Sequence, residues 1–473
     1  MSSRELLEHR KPFEELEAEV LERYLADPRD LGGRLLAGLR YVVNFAKLTT
    51  IRNRDGQDVD VRDAMRTHAW KVRDILGRSL GERDEGLWSA VRELPDLVAE
   101  TRAKRTAILE HFPIDKASLE REVCRRQFVL VLGGGGGAGY GYAGIFTMLH
   151  RFDIQPSLIC GTSIGALLGS FRARSKAYDA ALLLQANKSL SWNEIFHLGP
   201  EPSRYGLPAT LRLHLRAALG DFMRGPTQDV LTIGELAVPM HIVATGLTVD
   251  ALRHELDYYE HFLDDVVKPG MVFRTGRVSK VGNVAQILKE FAANPQNLRE
   301  VVFGRDPGTL EMDCIDCAGF SASVPGLLHY DVHRDDPRMT HLLDALYAER
   351  GISRLTEGGV VNNVPARVGF RSAMEGRLDG HRNVCIYAVD CFRPKRTSWL
   401  FYPLQQIARA NVVKNIPYAN IYLPLKRTLS PLNLVPRVRD VAKASRWAMD
   451  ESAPHMPLLA EMMRPFAALR EDR

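Results

Sequence analysis

The spacing of apolar residues along the chain changes near residue 125. Before it, Leu6, Phe13, Leu16, Val20, Leu21 and Tyr24 recur three and four apart between Glu, Arg and Lys. Leu31, Leu35, Leu36, Leu39, Val42 and Val43 repeat the pattern. This is the stripe of amphipathic helices. Asp63 to Leu80 predicts another helix, and Ala103 to Val123 predicts helix on either side of a break at Pro113, whose ring offers no N–H to the turn before it. Asn53-Arg54-Asp55-Gly56-Gln57 predicts a turn. Few runs here suit a strand, so residues 1–125 read as a helical N-terminal region. Trp70, Trp88 and the leucine faces call for a surface to bury against, which suits a cap over a sheet; a regulatory or oligomerising module is the other reading.

Beyond residue 125 the apolar residues run together instead of alternating. Phe128 to Leu132, Leu158-Ile159-Cys160 and Val384 to Val389 are the unbroken runs of strands covered on both faces. The last of them is expected to close a parallel sheet. Trp192, Phe196, Tyr205 and Phe222 lie in a stretch of loops and helices from about 188 to 232. From Thr248 to about Gly308 no motif is assignable.

Two of these strands lead into chemistry. Leu132 is followed at once by Gly133 to Gly137, Ala138 and Gly139, and then by the helical stretch Tyr140 to Leu149. Three ligands suit such a loop. A dinucleotide would use Gly134, Gly136 and Gly139 as G-x-G-x-x-G, but the next strand ends at Cys160-Gly161 without the acidic residue that holds a ribose. A nucleotide phosphate needs a closing Gly-Lys-Ser/Thr, which is absent. An oxyanion held by backbone N–H groups at a helix N-terminus is the third. It alone accounts for the next motif, Gly161-Thr162-Ser163-Ile164-Gly165, which sets a hydroxyl between glycines where strand turns into helix. Ser163 is the candidate nucleophile, with Gly161 and Gly165 leaving room for the sharp turn; a Gly-Ser loop without chemistry is the plain alternative.

A third stretch, Leu355-Thr356-Glu357-Gly358-Gly359-Val360-Val361-Asn362-Asn363-Val364-Pro365, completes a pattern. The three together resemble the patatin-like phospholipase family, in which a glycine-rich oxyanion loop, G-x-S-x-G, and D-G-G or D-G-A followed by an Asn-rich turn and Pro come in this order. Leu236 to Thr245 and Ala318-Gly319-Phe320-Ser321-Ala322-Ser323-Val324-Pro325-Gly326 also look like the family, and the resemblance covers roughly residues 127 to 392. It implies an α/β fold: a three-layer domain with a mainly parallel central sheet over 126–392, between the helical region 1–125 and a basic, aromatic C-terminal region 393–473.

The resemblance also implies a mechanism. A serine-carboxylate dyad without histidine would cleave fatty-acyl esters of phospholipids or related glycerolipids, Ser163 forming an acyl-enzyme and Glu357 acting as base. Gly135, Gly136 and Gly137 would supply the oxyanion N–H groups, and no cofactor or metal is expected. Two positions depart from the family: Glu357 stands where Asp is usual, and Ala138 where Arg or Lys usually follows the glycines. Aromatics between 188 and 232 would be core residues or the lining of an acyl tunnel, and 248–308 would be a lid. One alternative is a catalytically weak or inactive lipid-binding or scaffold protein. Another is an esterase with a Ser163-Glu357-His381 triad in α/β-hydrolase order, although His381 precedes a predicted strand.

Composition adds limits. The 473 residues are 45% hydrophobic with a net charge of +5, too slight to dictate partners. No run approaches the length of a membrane span and Met1 to Glu5 is charged, so a soluble, cytoplasmic chain without a signal peptide is expected. Six scattered cysteines suit a reducing compartment, and Cys314-Ile315-Asp316-Cys317 reads as buried thiols. His329, His333 and His341 near Asp331 and Asp335 read as a polar loop rather than a metal site. From Arg393 to Arg446 eleven Lys or Arg meet one acid, Asp440, with Trp399, Phe401, Tyr402, Tyr418 and Tyr422 interleaved. With a lipid substrate implied, this predicts peripheral membrane contact through 393–447 and no nucleic-acid partner.

Overall fold

The computed structural model describes residues 2–27, 32–81, 87–197, 203–249, 294–332, 334–393 and 402–469. They form two compact units. Met1–Val129, Phe370–Ile386 and Ala453–Arg473 make the first, and Leu130–Gly369 with Tyr387–Ser452 the second.

The first unit is built from α1 (Ser3–Ala26), α2 (Gly33–Ala46), the hairpin β1 (Thr50–Arg52) and β2 (Asp58–Asp60), α3 (Arg62–Gly81), α4 (Leu87–His111) and α5 (Lys116–Cys124). Ser2 starts α1 with a capping box, its hydroxyl accepting from the Glu5 N–H while the Glu5 carboxylate accepts from the Ser2 N–H. The predicted stripe of α1 buries Phe13, Leu16, Val20 and Leu21. α4 stops just before Pro113, and Asp115 caps α5 by accepting the Ser118 N–H at 2.9 Å. Tyr41, Phe45, Ile51, Met65, Ile108 and Leu119 meet in the core.

The predicted turn at 53–57 is present and joins two strands of three residues each, too short to show alternation in the sequence. Two expectations need correction. Trp70 and Trp88 are 60% and 49% exposed, because α3 and α4 turn Met65, Val72, Leu94 and Leu97 inward instead. Residues 453–473, grouped by sequence with the basic region, belong to this unit. The buried Arg40 guanidinium holds them, donating to the carbonyls of Met462 at 3.1 Å and Arg464 at 3.0 Å.

The central sheet is the α/β arrangement expected. In chain order come β3 (Gln127–Leu132), α6 (Tyr142–Arg151), β4 (Leu158–Thr162), α7 (Ile164–Ala173), α8 (Ala180–Ser189), β5 (Phe196–His197), β6 (Ala209–Leu213), β7 (Met240–Leu247), β8 (Leu298–Phe303), β9 (Gly326–His329), β10 (Arg354–Thr356), β11 (Val384–Asp390) and β12 (Ile421–Pro424). The strand order is β10-β7-β4-β3-β11-β12, with β8 also on β7, while β5, β6 and β9 form a small separate sheet. β4 runs parallel to β7 and β11 to β12, whereas β8 and β10 are antiparallel to β7. Every residue of β4, β7 and β11 is buried, which is why Leu158-Ile159-Cys160 and Val384 to Val389 read as continuous apolar runs.

β11 does not close the sheet. β12 pairs outside it, drawn from the basic C-terminal stretch, and only Ile421 and Leu423 of its four residues point inward, too few to mark a strand by pattern. β8 lies in the stretch from 248 to 308 that carried no motif. Residues 250–293, where the lid was expected, are outside the described residues. Among the described residues no helix is long and apolar enough to cross a membrane.

Candidate active site

Strand register brings Ser163 and Glu357 together. Thr162 of β4 pairs with Val243 of β7, and Thr356 of β10 pairs with Thr245 of the same strand, running the other way. One residue further along each strand, Ser163 and Glu357 both draw level with Ala244. Ser163 is 5% exposed and adopts φ 55°, ψ −124°, a strained conformation for a residue with a side chain, and α7 starts directly after it. Sharp turns of this kind lift a nucleophile clear of the sheet. A methyl group built on Gly134 would lie 3.1 Å from Ser163 Cβ and 3.4 Å from Glu357 Oε1, so serine, carboxylate and glycine loop face one space.

Residues 321–323 hold both groups in place. The Ser163 N–H donates to Ser321 Oγ at 2.7 Å, and that hydroxyl donates on to Val243 O at 2.6 Å. The Glu357 N–H donates to Ser323 O at 2.9 Å and the Gly358 N–H to Ser321 O at 3.2 Å. Thr245 Oγ1 donates to Glu357 O at 2.7 Å. By sequence, 318–326 reads only as a small-residue segment, and the role of Ser321 is not visible in it. The one signal available was a pair of hydroxyls set among alanines and glycines in a stretch that is otherwise apolar.

The Glu357 carboxyl is fully enclosed. Burial pushes its pKa up to about 8; the Gly359 N–H, which donates to Oε1 at 3.3 Å, and the Ser163 hydroxyl pull it partly back. Among the described residues Oε2 is buried without a hydrogen-bond partner. The carboxyl is therefore mostly protonated at neutral pH and becomes a competent base as the pH approaches 8.

The glycine loop contributes unevenly. The Gly134 N–H donates to Asn363 O at 3.1 Å, the Gly137 N–H to Pro431 O at 3.0 Å, and the Ala138 N–H to Gly135 O at 3.2 Å. Among the described residues this leaves the N–H groups of Gly135 and Gly136 without a backbone acceptor, and these two glycines line the same cavity as Ser163 and Glu357 while Gly137 does not. Gly136 sits at φ 54°, and a Cβ there would lie 2.6 Å from Pro431 O, so no side chain fits. Ala138 is buried, and the cavity lining does not include it.

The cavity occupies about 980 Å³ including its open mouth. Past the polar end its walls are apolar, among them Ile164, Leu167, Leu190, Leu213, Leu219 and Leu432. Of the four aromatics singled out by sequence, Phe196 lines it, with Trp192 packed behind at a ring distance of 4.4 Å; Tyr205 packs on Tyr347 in the core. The leucines carry no pattern that marks them as lining.

Other candidates lie elsewhere. His381 belongs to the first unit, where its Nδ1 is 3.7 Å from Glu122 Oε2, and burial with nearby Arg121 lowers its pKa to about 4; it does not line the serine cavity. Asp331 accepts the N–H groups of Arg204, Tyr205 and Gly206 through one oxygen, and the buried His329 ring lies 2.9 Å from Leu207 O, so both serve loop structure. His333 is outside the described residues. Cys314 and Cys317 are buried free thiols. Burial raises the pKa of both.

A search of curated proteins finds no match to this chain. Among protein families, residues 130–370 match the patatin-like phospholipases, whose members are lipid acyl hydrolases. That match takes in the glycine loop, Ser163 and Glu357 and spans half of the chain, so the protein belongs to the patatin-like phospholipase family.

Proposed function

We propose that the protein hydrolyses fatty-acyl esters of phospholipids or related glycerolipids through a Ser163 acyl-enzyme, with Glu357 as base. Ionised Glu357 takes the hydroxyl proton as Ser163 Oγ attacks the ester carbonyl. The Gly135 and Gly136 N–H groups receive the oxyanion, an effect worth roughly 3 kcal/mol per donor in comparable sites. Collapse expels the alcohol, which leaves with the proton held by Glu357. Water then attacks the acyl-enzyme, losing its proton to Glu357; the bond from Ser163 Oγ to the acyl carbon breaks, Glu357 passes that proton to Oγ, and the fatty acid departs.

The observation that carries this reading is the meeting of Ser163, at φ 55°, with a buried carboxyl at the polar end of an apolar cavity. An alkyl fluorophosphonate tests it. The natural chain and His381→Ala take up one equivalent of label at the same rate, and Ser163→Ala takes up none. A protein that only binds lipid would not be labelled, and a triad enzyme would lose labelling in His381→Ala.

A second element of the reading is peripheral contact with anionic membranes through 393–447. Arg437, Arg439, Lys443 and Arg446 are exposed and support it; the segment 394–401 is outside the described residues. Sedimentation with vesicles containing phosphatidylserine should bring the protein down at low salt and release it as salt screens the charges, while neutral vesicles leave it in solution. Equal binding to both vesicle types would exclude electrostatic attachment.

A further inference from the structure

A second apolar chamber adjoins the serine cavity. It lies among α6, α7, α8 and the helix Val438–Ser452, with Phe171, Tyr178, Leu183, Leu184, Val438 and Val441 on its walls. Tyr140, Leu167, Leu190 and Leu219 line both spaces, so one layer of side chains separates them. The far wall comes from residues beyond the family match, which ends at 370.

We infer that this chamber receives the distal part of the substrate's acyl chain and makes the enzyme selective for long chains. The inference rests on the reading that Ser163 binds the carboxyl end. α7 supplies a ruler: Leu167 is four residues past Ser163 and Phe171 eight, so the shared layer stands about 6 Å along the helix axis and the chamber wall about 12 Å. A butyryl chain ends within the first cavity. An extended palmitoyl chain reaches beyond Phe171 on the same ruler and, on passing Leu167 and Leu190, meets a mostly apolar surface. Each further methylene buried there strengthens binding roughly fourfold. Leu184, on the chamber wall, is 39% exposed, so the chamber opens to solvent on that side and a chain longer than it can emerge.

Ala442, exposed on the Val438–Ser452 helix, lines the chamber and not the serine cavity. Ala442→Trp therefore fills the chamber from outside with little strain on the fold. Turnover of nitrophenyl palmitate and nitrophenyl butyrate is measured for the natural chain, for Ala442→Trp and for the control Ala181→Trp, at a position that is exposed on α8 and lines neither space. The palmitate-to-butyrate ratio of kcat/KM should fall at least about tenfold in Ala442→Trp and stay put in Ala181→Trp. An unchanged ratio in Ala442→Trp overturns the inference, as does an equal loss on both esters. If the natural chain cleaves neither ester, the hydrolase reading fails and palmitate binding decides the chamber. Calorimetric titration of Ser163→Ala against Ser163→Ala/Ala442→Trp supports it by a tenfold or greater loss of affinity and overturns it by equal affinity.

Discussion

Glu357→Gln abolishes ester hydrolysis and at the same time makes the protein more stable at alkaline pH. The loss of activity follows from the base: a positioned carboxylate contributes about 10² to 10⁴ to a proton-transfer step, and an amide cannot accept the serine proton. The gain in stability follows from where the carboxyl sits. Its pKa rises from an ordinary 4.5 to about 8 in the folded protein because burial disfavours the charge. A carboxyl with a raised folded pKa holds its proton more tightly in the folded state, so its contribution to stability is complete below about pH 4.5 and is lost as the pH climbs to about 8. Each unit is worth about 1.4 kcal/mol, so ionisation costs the native enzyme a few kcal/mol by pH 8. Gln never ionises and avoids that loss. The difference in melting temperature between the two proteins should therefore be small at pH 4.5, widen to pH 8 and level off above. The same ionisation makes kcat/KM of the natural chain rise with pH up to about 8. A melting difference that does not change with pH would mean that the carboxyl is not buried beside Ser163. Glu357→Asp separates charge from reach: it keeps the base but draws it back by one methylene, and a misplacement on the order of 1 Å costs about 100-fold.

What the sequence made legible here was local, and what it hid was made by distant pairing. The glycine run, the elbow around Ser163 and the carboxylate at Glu357 each rest on a few adjacent residues, because a turn, a helix start and a strand end are determined over that range. Their meeting point needed only strand register. By contrast Ser321 gains its role from Ser163 and Val243, partners 158 and 78 residues away in the chain. Pro431 and Leu432 reach the glycine loop from a stretch that sequence reads as basic surface. β12 is invisible for the same reason, since its four residues make sense only beside β11. Trp70 shows the opposite failure: hydrophobicity predicts burial, but the helix stripe decides which residues face the core, and Trp70 falls off it.

The C-terminal stretch also changes what the glycine loop can do. A methyl on Gly137 would lie 2.3 Å from Asn433 O and 2.5 Å from Ser430 O, and the Tyr140 hydroxyl donates to Leu434 O at 2.9 Å. Residues 430–434 are thus built onto the loop. This gives Ala138 a physical context: the loop is steadied from outside by backbone contacts, without a cation of its own.

The second large effect is expected at Gly165, two residues beyond Ser163. A Cβ there would lie 2.3 Å from Leu132 O and 2.7 Å from Gly133 O, both backbone oxygens where β3 enters the glycine loop. Neither can swing aside as a flexible side chain would, so Gly165→Ala must push α7 away from β3. Such overpacking costs about 1–3 kcal/mol of stability. The functional cost is larger, because α7 starts at Ile164 and carries Ser163 with it, while Glu357 stays anchored to β7 through Thr245 and to Ser323. With the roles proposed for them, a shift of about 1 Å between Ser163 and Glu357 predicts a fall in kcat/KM of about 100-fold or more with the fold retained. Gly220→Ala in the same unit is the control: its Cβ would meet only side-chain carbons at 3.6 Å, an ordinary contact, and activity should stay within about twofold. If Gly165→Ala kept nearly full activity, the close approach of α7 to β3 could not be what sets the serine in place, and the geometric basis for assigning Ser163 as nucleophile would fail with it.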